Sequence, residues 1–263
     1  MNKKIYFGSN LKMYKNIRDT MLYLKELEEL TADLDRELCT LFIIPSYTSL
    51  EQASNSIDQT LIQLGAQNMC WEEQGQFTGE ISPLMLQELN LKIIELGHSE
   101  RRHVFGETNN MLRQKVNAAL SHSFTTLLCI GETGEEKNYG ISDEILRIQL
   151  KTGLSDVKET DLSRLWIAYE PVWAIGVNGK PASVSYAQEK HALIRSTLIE
   201  LFGNNAEKIP ILYGGSVNPS NADELIIQPD IDGLFVGRSA WHAKDFNRLI
   251  RNALNSYLQS QNK

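Results

Sequence analysis

The sequence predicts an α/β fold: a single closed (β/α)8 barrel using residues 1–263 as one domain. Short β-rich apolar runs, each followed by a helical pattern, recur from end to end without a linker, and eight of them can be counted. No Gly-x-Gly-x-x-Gly follows the first run, which argues against an open doubly wound sheet holding a dinucleotide. A length of 263 residues suits one barrel with a large core.

In order, strands are expected near residues 5–7, 41–44, 61–64, 93–96, 126–130, 166–169, 211–213 and 234–236. Between them, apolar residues fall at helical spacing. Ile17, Met21, Leu24 and Leu27 share one face, as do Ala187, His191, Ile194, Leu198 and Leu201, and near the end Phe246, Leu249, Ile250, Ala253 and Tyr257. These stripes are expected to pack on the outside of the barrel.

Twenty-six basic against 33 acidic side chains give a net charge of −7, which opposes binding to nucleic acid or an anionic membrane. A phosphate ligand would then need a local positive site. Cys39, Cys70 and Cys129 are odd in number, far apart and flanked by apolar residues, so they read as reduced, buried thiols rather than metal ligands. The apolar stretch after the first lysines ends at Gly8 and Ser9, too short for a signal peptide or a membrane span, and a cytoplasmic location is expected.

In such a barrel the loops after the strands build the site. Asn10 and Lys12 follow the first strand, two apart, and offer an amide and a cation in the same direction. Gly97-His98-Ser99-Glu100-Arg101-Arg102 follows the fourth, where the serine suggests a helix start beside an imidazole. The sixth strand ends in Tyr169-Glu170-Pro171, a carboxylate at the rim, and runs into an apolar loop, 172–181, that reads as a lid. Gly214-Gly215-Ser216 and Gly237-Arg238 end the seventh and eighth strands, where backbone N–H groups can approach an anion. Each signal alone has an ordinary structural reading; their convergence on one rim points to a site.

Together, Asn10-x-Lys12, Gly97-His98-Ser99-Glu100-Arg101-Arg102, Cys129-Ile130-Gly131-Glu132, Tyr169-Glu170-Pro171-Val172-Trp173-Ala174-Ile175-Gly176 and Tyr213-Gly214-Gly215-Ser216 resemble the triosephosphate isomerase family over essentially the full chain. The resemblance implies a TIM (β/α)8 barrel that moves a proton between neighbouring carbons of a small phosphorylated sugar through an enediol. It implies Glu170 as base, His98 as the group that polarises the carbonyl, Lys12 and Asn10 as stabilisers of the enediolate, and Glu100 as the residue orienting Lys12. Gly176, Ser216 and Gly237 would hold the phosphate, with Arg238 beside them, and 171–182 would close over it. The stretch 75–80 resembles the family's dimer loop, with Thr78 reaching into the neighbouring subunit, so a homodimer is implied. The resemblance implies no cofactor and no metal; His103, His122, His191 and His242 are scattered and read as structural or solvated.

Three departures stand out from the family pattern. Arg238 replaces the second glycine after the eighth strand and Trp241 follows closely; the lid tip is one residue longer, with Pro181 near its end; and Leu11 replaces a tryptophan. Arg238 either binds an extra hydroxyl, strengthens phosphate binding or points outward into an ion pair. The first two departures resemble the branch acting on four-carbon erythrulose phosphates. The first expectation is interconversion of dihydroxyacetone phosphate and D-glyceraldehyde 3-phosphate, and the alternative is interconversion of L-erythrulose 1-phosphate and D-erythrulose 4-phosphate. A catalytically idle binding barrel is a third reading, opposed by the presence of Glu170, His98 and Lys12.

Overall fold

The fold is that of a computed structural model describing residues 3–176 and 179–261. Its strands are β1 (Ile5–Asn10), β2 (Cys39–Ile44), β3 (Gln63–Ala66), β4 (Ile93–Leu96), β5 (Thr125–Ile130), β6 (Leu165–Tyr169), β7 (Ile211–Tyr213) and β8 (Gly233–Phe235). They pair in parallel, in chain order, and β8 closes on β1 through Tyr6 opposite Gly233. The expected (β/α)8 barrel is what forms.

The helices are α1 (Ile17–Thr31), α2 (Tyr47–Ser54), α3 (Pro83–Gln87), α4 (Ser99–His103), α5 (Asn109–Ser121), α6 (Gly134–Asn138), α7 (Ser142–Gly153), α8 (Val184–Phe202), α9 (Ala222–Ile226) and α10 (Ala243–Gln261).

β4 and β7 fall where expected, β5, β6 and β8 are displaced by one residue, β2 starts two residues early at Cys39, and β1 and β3 differ for identifiable reasons. Leu61 and Ile62 donate to Asp58 O in a turn, so β3 starts two residues later than the apolar run does. β1 continues to Asn10, because its ladder with β2 runs past the apolar run through Ser9 and Asn10.

Strand alternation divides the core in two. One set of residues on each strand, including Phe42, Ile93, Leu127, Cys129, Trp166, Ala168 and Phe235, fills the barrel interior. Their neighbours, including Phe7, Leu41, Ile94, Leu128 and Ile167, pack outward against the helices. Met21, Leu24 and Leu27 of α1 and Phe246, Leu249, Ile250, Ala253 and Tyr257 of α10 are buried as expected. Ile17 is 42% exposed, because it opens α1 a full turn before the buried stripe begins.

His191 is fully buried in α8, with its Nδ1 3.1 Å from Asp230 O. His103 and His242 are exposed. All three cysteines are free and buried. No helix among the described residues is long and apolar enough to cross a membrane.

Candidate active site

A cleft of ≈ 440 Å³ opens at the C-terminal end of the barrel. Asn10, Lys12, His98, Glu100, Glu170, Gly176, Ser216, Gly237 and Arg238 all line it, so the proposed catalytic and phosphate residues converge there. Thr78 stands apart, exposed in a loop away from the cleft. The tip residues Val177 and Asn178, on which the longer-lid reading rests, lie outside the described residues.

The strand alternation that aims Trp166 and Ala168 inward also aims Glu170 inward, one residue past β6. Its N–H is held by Ile130 O at 2.7 Å. The chain after β7 presses against it: a Cβ on Gly214 would lie 2.8 Å from Glu170 Cγ, so only glycine fits. Glu170 is 3% exposed, and its Oε2 has no hydrogen-bond partner among the described residues. Its Oε1 lies 3.7 Å from His98 Nε2.

His98 is placed by Gly97, whose φ of +74 turns the chain sharply out of β4. The imidazole itself caps α4: Nδ1 accepts the Glu100 N–H at 3.1 Å. Ser99, the sequence signal for this helix start, is instead its first residue. Because Nδ1 accepts from a backbone donor it carries no proton, so the ring's proton sits on Nε2, facing the cleft and Glu170. That geometry offers a neutral hydrogen-bond donor to a carbonyl oxygen beside a carboxylate base.

Lys12 adopts φ +51, an uncommon backbone conformation for a lysine, and is fixed on two sides. Its N–H donates to Asn10 Oδ1 at 2.6 Å and its carbonyl accepts from Gln67 Nε2 at 2.9 Å. Lys12 Nζ reaches Glu100 Oε1 at 2.8 Å. Burial pushes the Glu100 carboxyl up, but the Lys12 hydrogen bond and the neighbouring His98 and Lys12 outweigh it, leaving the group below its usual value. Leu11, between the two ligand-facing residues, points outward into the helix-side core.

At the other end of the cleft, Ser239 Oγ donates to Val217 O at 3.1 Å and ties the β7 and β8 loops together. Arg238 does not turn outward to a carboxylate: its Nη2 donates to Gly176 O on the lid at 3.1 Å. Trp241 roofs the first loop, donating Nε1–H to Asn10 O at 3.1 Å and packing on Tyr14 at 4.4 Å between ring centroids.

Two acids escaped the sequence reading. Glu132, quoted only as part of a motif, is fully buried at the lid's base and accepts from Tyr169 Oη, Trp173 Nε1 and Tyr186 Oη. Glu95 is buried beneath the cleft, its Oε2 accepting from Asn10 Nδ2 at 2.7 Å. With His98 and Glu170 it forms a group of possible ligand atoms all within 4.8 Å of one another, a three-donor cluster not foreseen among the histidines. The cluster is built around Glu170, with His98 and Glu95 as its two neighbours.

The sequence profile of triosephosphate isomerase matches residues 5–253. The chain belongs to the triosephosphate isomerase family. Among individual relatives, it is 46% identical to an L-erythrulose-1-phosphate isomerase of Rhizobium etli over 92% of this chain and 90% of the relative. It is 43% identical to one of Brucella abortus over 92% and 94%. It is 42% identical to a triosephosphate isomerase of Clostridium tetani over 94% of this chain and 96% of that protein. As a triosephosphate-isomerase-type enzyme, it is an isomerase acting on phosphorylated sugars.

Proposed function

We propose that this isomerase interconverts L-erythrulose 1-phosphate and D-erythrulose 4-phosphate through an enediol. The observation that carries the chemistry is the Glu170–His98 pair, base and neutral donor 3.7 Å apart at one end of a cleft whose other end is a glycine-lined anion corner. For the substrate, relatives named as L-erythrulose-1-phosphate isomerases match this chain at 43–46% identity, against 42% for a triosephosphate isomerase. They favour the tetrulose over dihydroxyacetone phosphate.

Glu170 takes the proton from C3 of the 1-phosphate while His98 Nε2–H donates to the C2 carbonyl oxygen, giving a C2–C3 enediol. The C3 hydroxyl then gives its proton back to His98 Nε2 as its oxygen becomes the new carbonyl, and Glu170 returns a proton to C2. No atom is gained or lost and the phosphate stays in place. Lys12 and Asn10 stabilise negative charge on the enediolate oxygens, since donors fixed in advance in a dry site act more strongly than in water. Gly176, Ser216 and Gly237 supply N–H groups to the phosphate, with the Arg238 guanidinium beside them.

We further infer a cytoplasmic homodimer. The free thiols of Cys39, Cys70 and Cys129 suit a reducing compartment. Met13, Tyr14 and Phe77 are 94%, 69% and 42% exposed, apolar surface near the cleft entrance and on the Thr78 loop that a second subunit would cover.

The substrate is tested by measuring kcat/KM for L-erythrulose 1-phosphate and D-glyceraldehyde 3-phosphate in one assay series. The tetrulose should be favoured by at least about tenfold, a difference of about 1.4 kcal/mol in transition-state binding. A preference for the triose of the same size would return the enzyme to triose chemistry.

A further inference from the structure

Beneath the cleft, the apolar layer that fills the barrel interior meets a buried acid that the proton-transfer scheme leaves unused. Glu95 lies two residues beyond Ile93 on β4, so alternation carries its carboxyl into the inner layer. It is 0% exposed. An acid in that position costs desolvation that an aliphatic side chain would not, and its contacts say what it does there.

We propose that Glu95 is a positioning residue for proton transfer: its carboxyl fixes the Asn10 amide, and through it the left-handed Lys12 backbone, relative to Glu170. Asn10 Nδ2 donates to Glu95 Oε2 at 2.7 Å, while Asn10 Oδ1 accepts from Lys12 N at 2.6 Å and Gln67 Nε2 at 3.1 Å. Rotating the amide by half a turn would set its NH2 against both donors, so a single orientation holds. In that orientation the second Nδ2 hydrogen is left for the cleft that Asn10 lines. The chain of contacts runs from Glu95 through Asn10 to Lys12 and on to Glu100.

The groups facing Glu95 come from several strand ends: Asn10 closing β1 and Lys12 after it, His98 and Glu100 after β4, Cys129 on β5 at 3.8 Å, and Glu170 after β6. Burial and then the Glu170 charge push the Glu95 carboxyl well above its usual value, against the opposing pull of the Asn10 hydrogen bond and Lys12. Two carboxyls this close in a dry site do not both ionise. Burial and the neighbouring Glu170 thus both favour the uncharged form of Glu95.

The inference rests on the enediol chemistry and not on which sugar is turned over. The test compares Glu95→Leu, Glu95→Gln, Asn10→Ala and the Glu95→Leu/Asn10→Ala double variant. Four quantities are read: kcat and KM on the wild-type substrate, the thermal midpoint, and the calorimetric affinities for 2-phosphoglycolate, whose carboxylate mimics an enediolate, and for inorganic phosphate.

Glu95→Leu should lower kcat roughly 10- to 100-fold with KM nearly unchanged, because misplaced donors cost most in the transition state. Its thermal midpoint should hold or rise, since removing a buried carboxyl relieves a desolvation cost. It should weaken 2-phosphoglycolate binding about tenfold and leave inorganic phosphate binding alone, and Glu95→Gln should recover most of the loss because it is uncharged and keeps an acceptor for Asn10. In the Asn10→Ala background, Glu95→Leu should add little.

A Leu variant with near-normal kcat, one that unfolds or loses its thermal midpoint, or losses that multiply with Asn10→Ala would each overturn the proposal. A wild-type enzyme that turns over neither sugar would end the isomerase reading instead, and the 2-phosphoglycolate comparison would still decide Glu95.

Discussion

Glu170 faces the cleft with Oε1 beside His98 and with an Oε2 that has no partner among the described residues, while Ile130 O holds its backbone and Gly214 presses on its side chain. A base so confined should be intolerant of length. Glu170→Asp withdraws the carboxylate by one methylene and should lower kcat by about a hundredfold or more while leaving the fold intact. Turnover near the wild-type rate, with a normal circular dichroism spectrum, would remove Glu170 as the base.

His98 shows how much residue-scale chemistry was readable before the fold. Its motif, with Glu170, Lys12 and Asn10, marked the rim correctly, because those residues follow strand ends in the chain. Taken alone, the motif also allowed a capping histidine; what it could not carry was the consequence, that capping α4 through Nδ1 fixes where the ring proton sits. Glu95 was missed for a different reason. An acid inside an apolar strand run reads as a solvent-facing residue, and only its parity with Ile93 in a closed barrel turns it inward.

At the scale of elements, the lid and the loop after β8 act on the same end of the cleft. Arg238 bonds Gly176 O, and both line the end of the cleft proposed to take the phosphate. The fourth carbon of a tetrulose phosphate extends from the opposite side of the reacting centre. Arg238→Gly should therefore raise KM for both sugar phosphates, by roughly tenfold for one lost charged hydrogen bond, and leave their kcat/KM ratio nearly unchanged. A large shift in that ratio would make Arg238 a determinant of chain length.

Strand boundaries were legible wherever an apolar run and the hydrogen-bond ladder coincide, as in β4 and β7. They drifted where polar residues still pair, as at Ser9 and Asn10, or where apolar residues belong to a turn, as at Leu61 and Ile62. The role of Glu132 was invisible because its three donors come from β6, the lid and α8, which only the fold brings together.

Across the whole molecule, the outer core closes over ionisable groups whose burial sets its acid tolerance. Burial depresses His191 from the usual 6.5 to about 3. The folded pKa lies below the unfolded one, so this contribution is complete above pH 6.5 and drains as pH falls toward 3, where both states bind the proton. Within that window it should cost about 1.4 kcal/mol of stability per pH unit. Urea unfolding of wild type and His191→Leu between pH 6.5 and 4 should show a shallower decline in the variant; parallel declines would assign the loss to other groups.

The central claim for the molecule is proton transfer through an enediol on a four-carbon phosphate. It is tested most directly by following L-erythrulose 1-phosphate with the enzyme in D2O by NMR. The account predicts a new phosphorylated ketose carrying solvent deuterium at the carbon that had been the carbonyl. No formation of the new ketose, or conversion that leaves both sugars free of deuterium after many turnovers of the equilibrium mixture, when the Glu170 proton has had time to exchange with solvent, would contradict it.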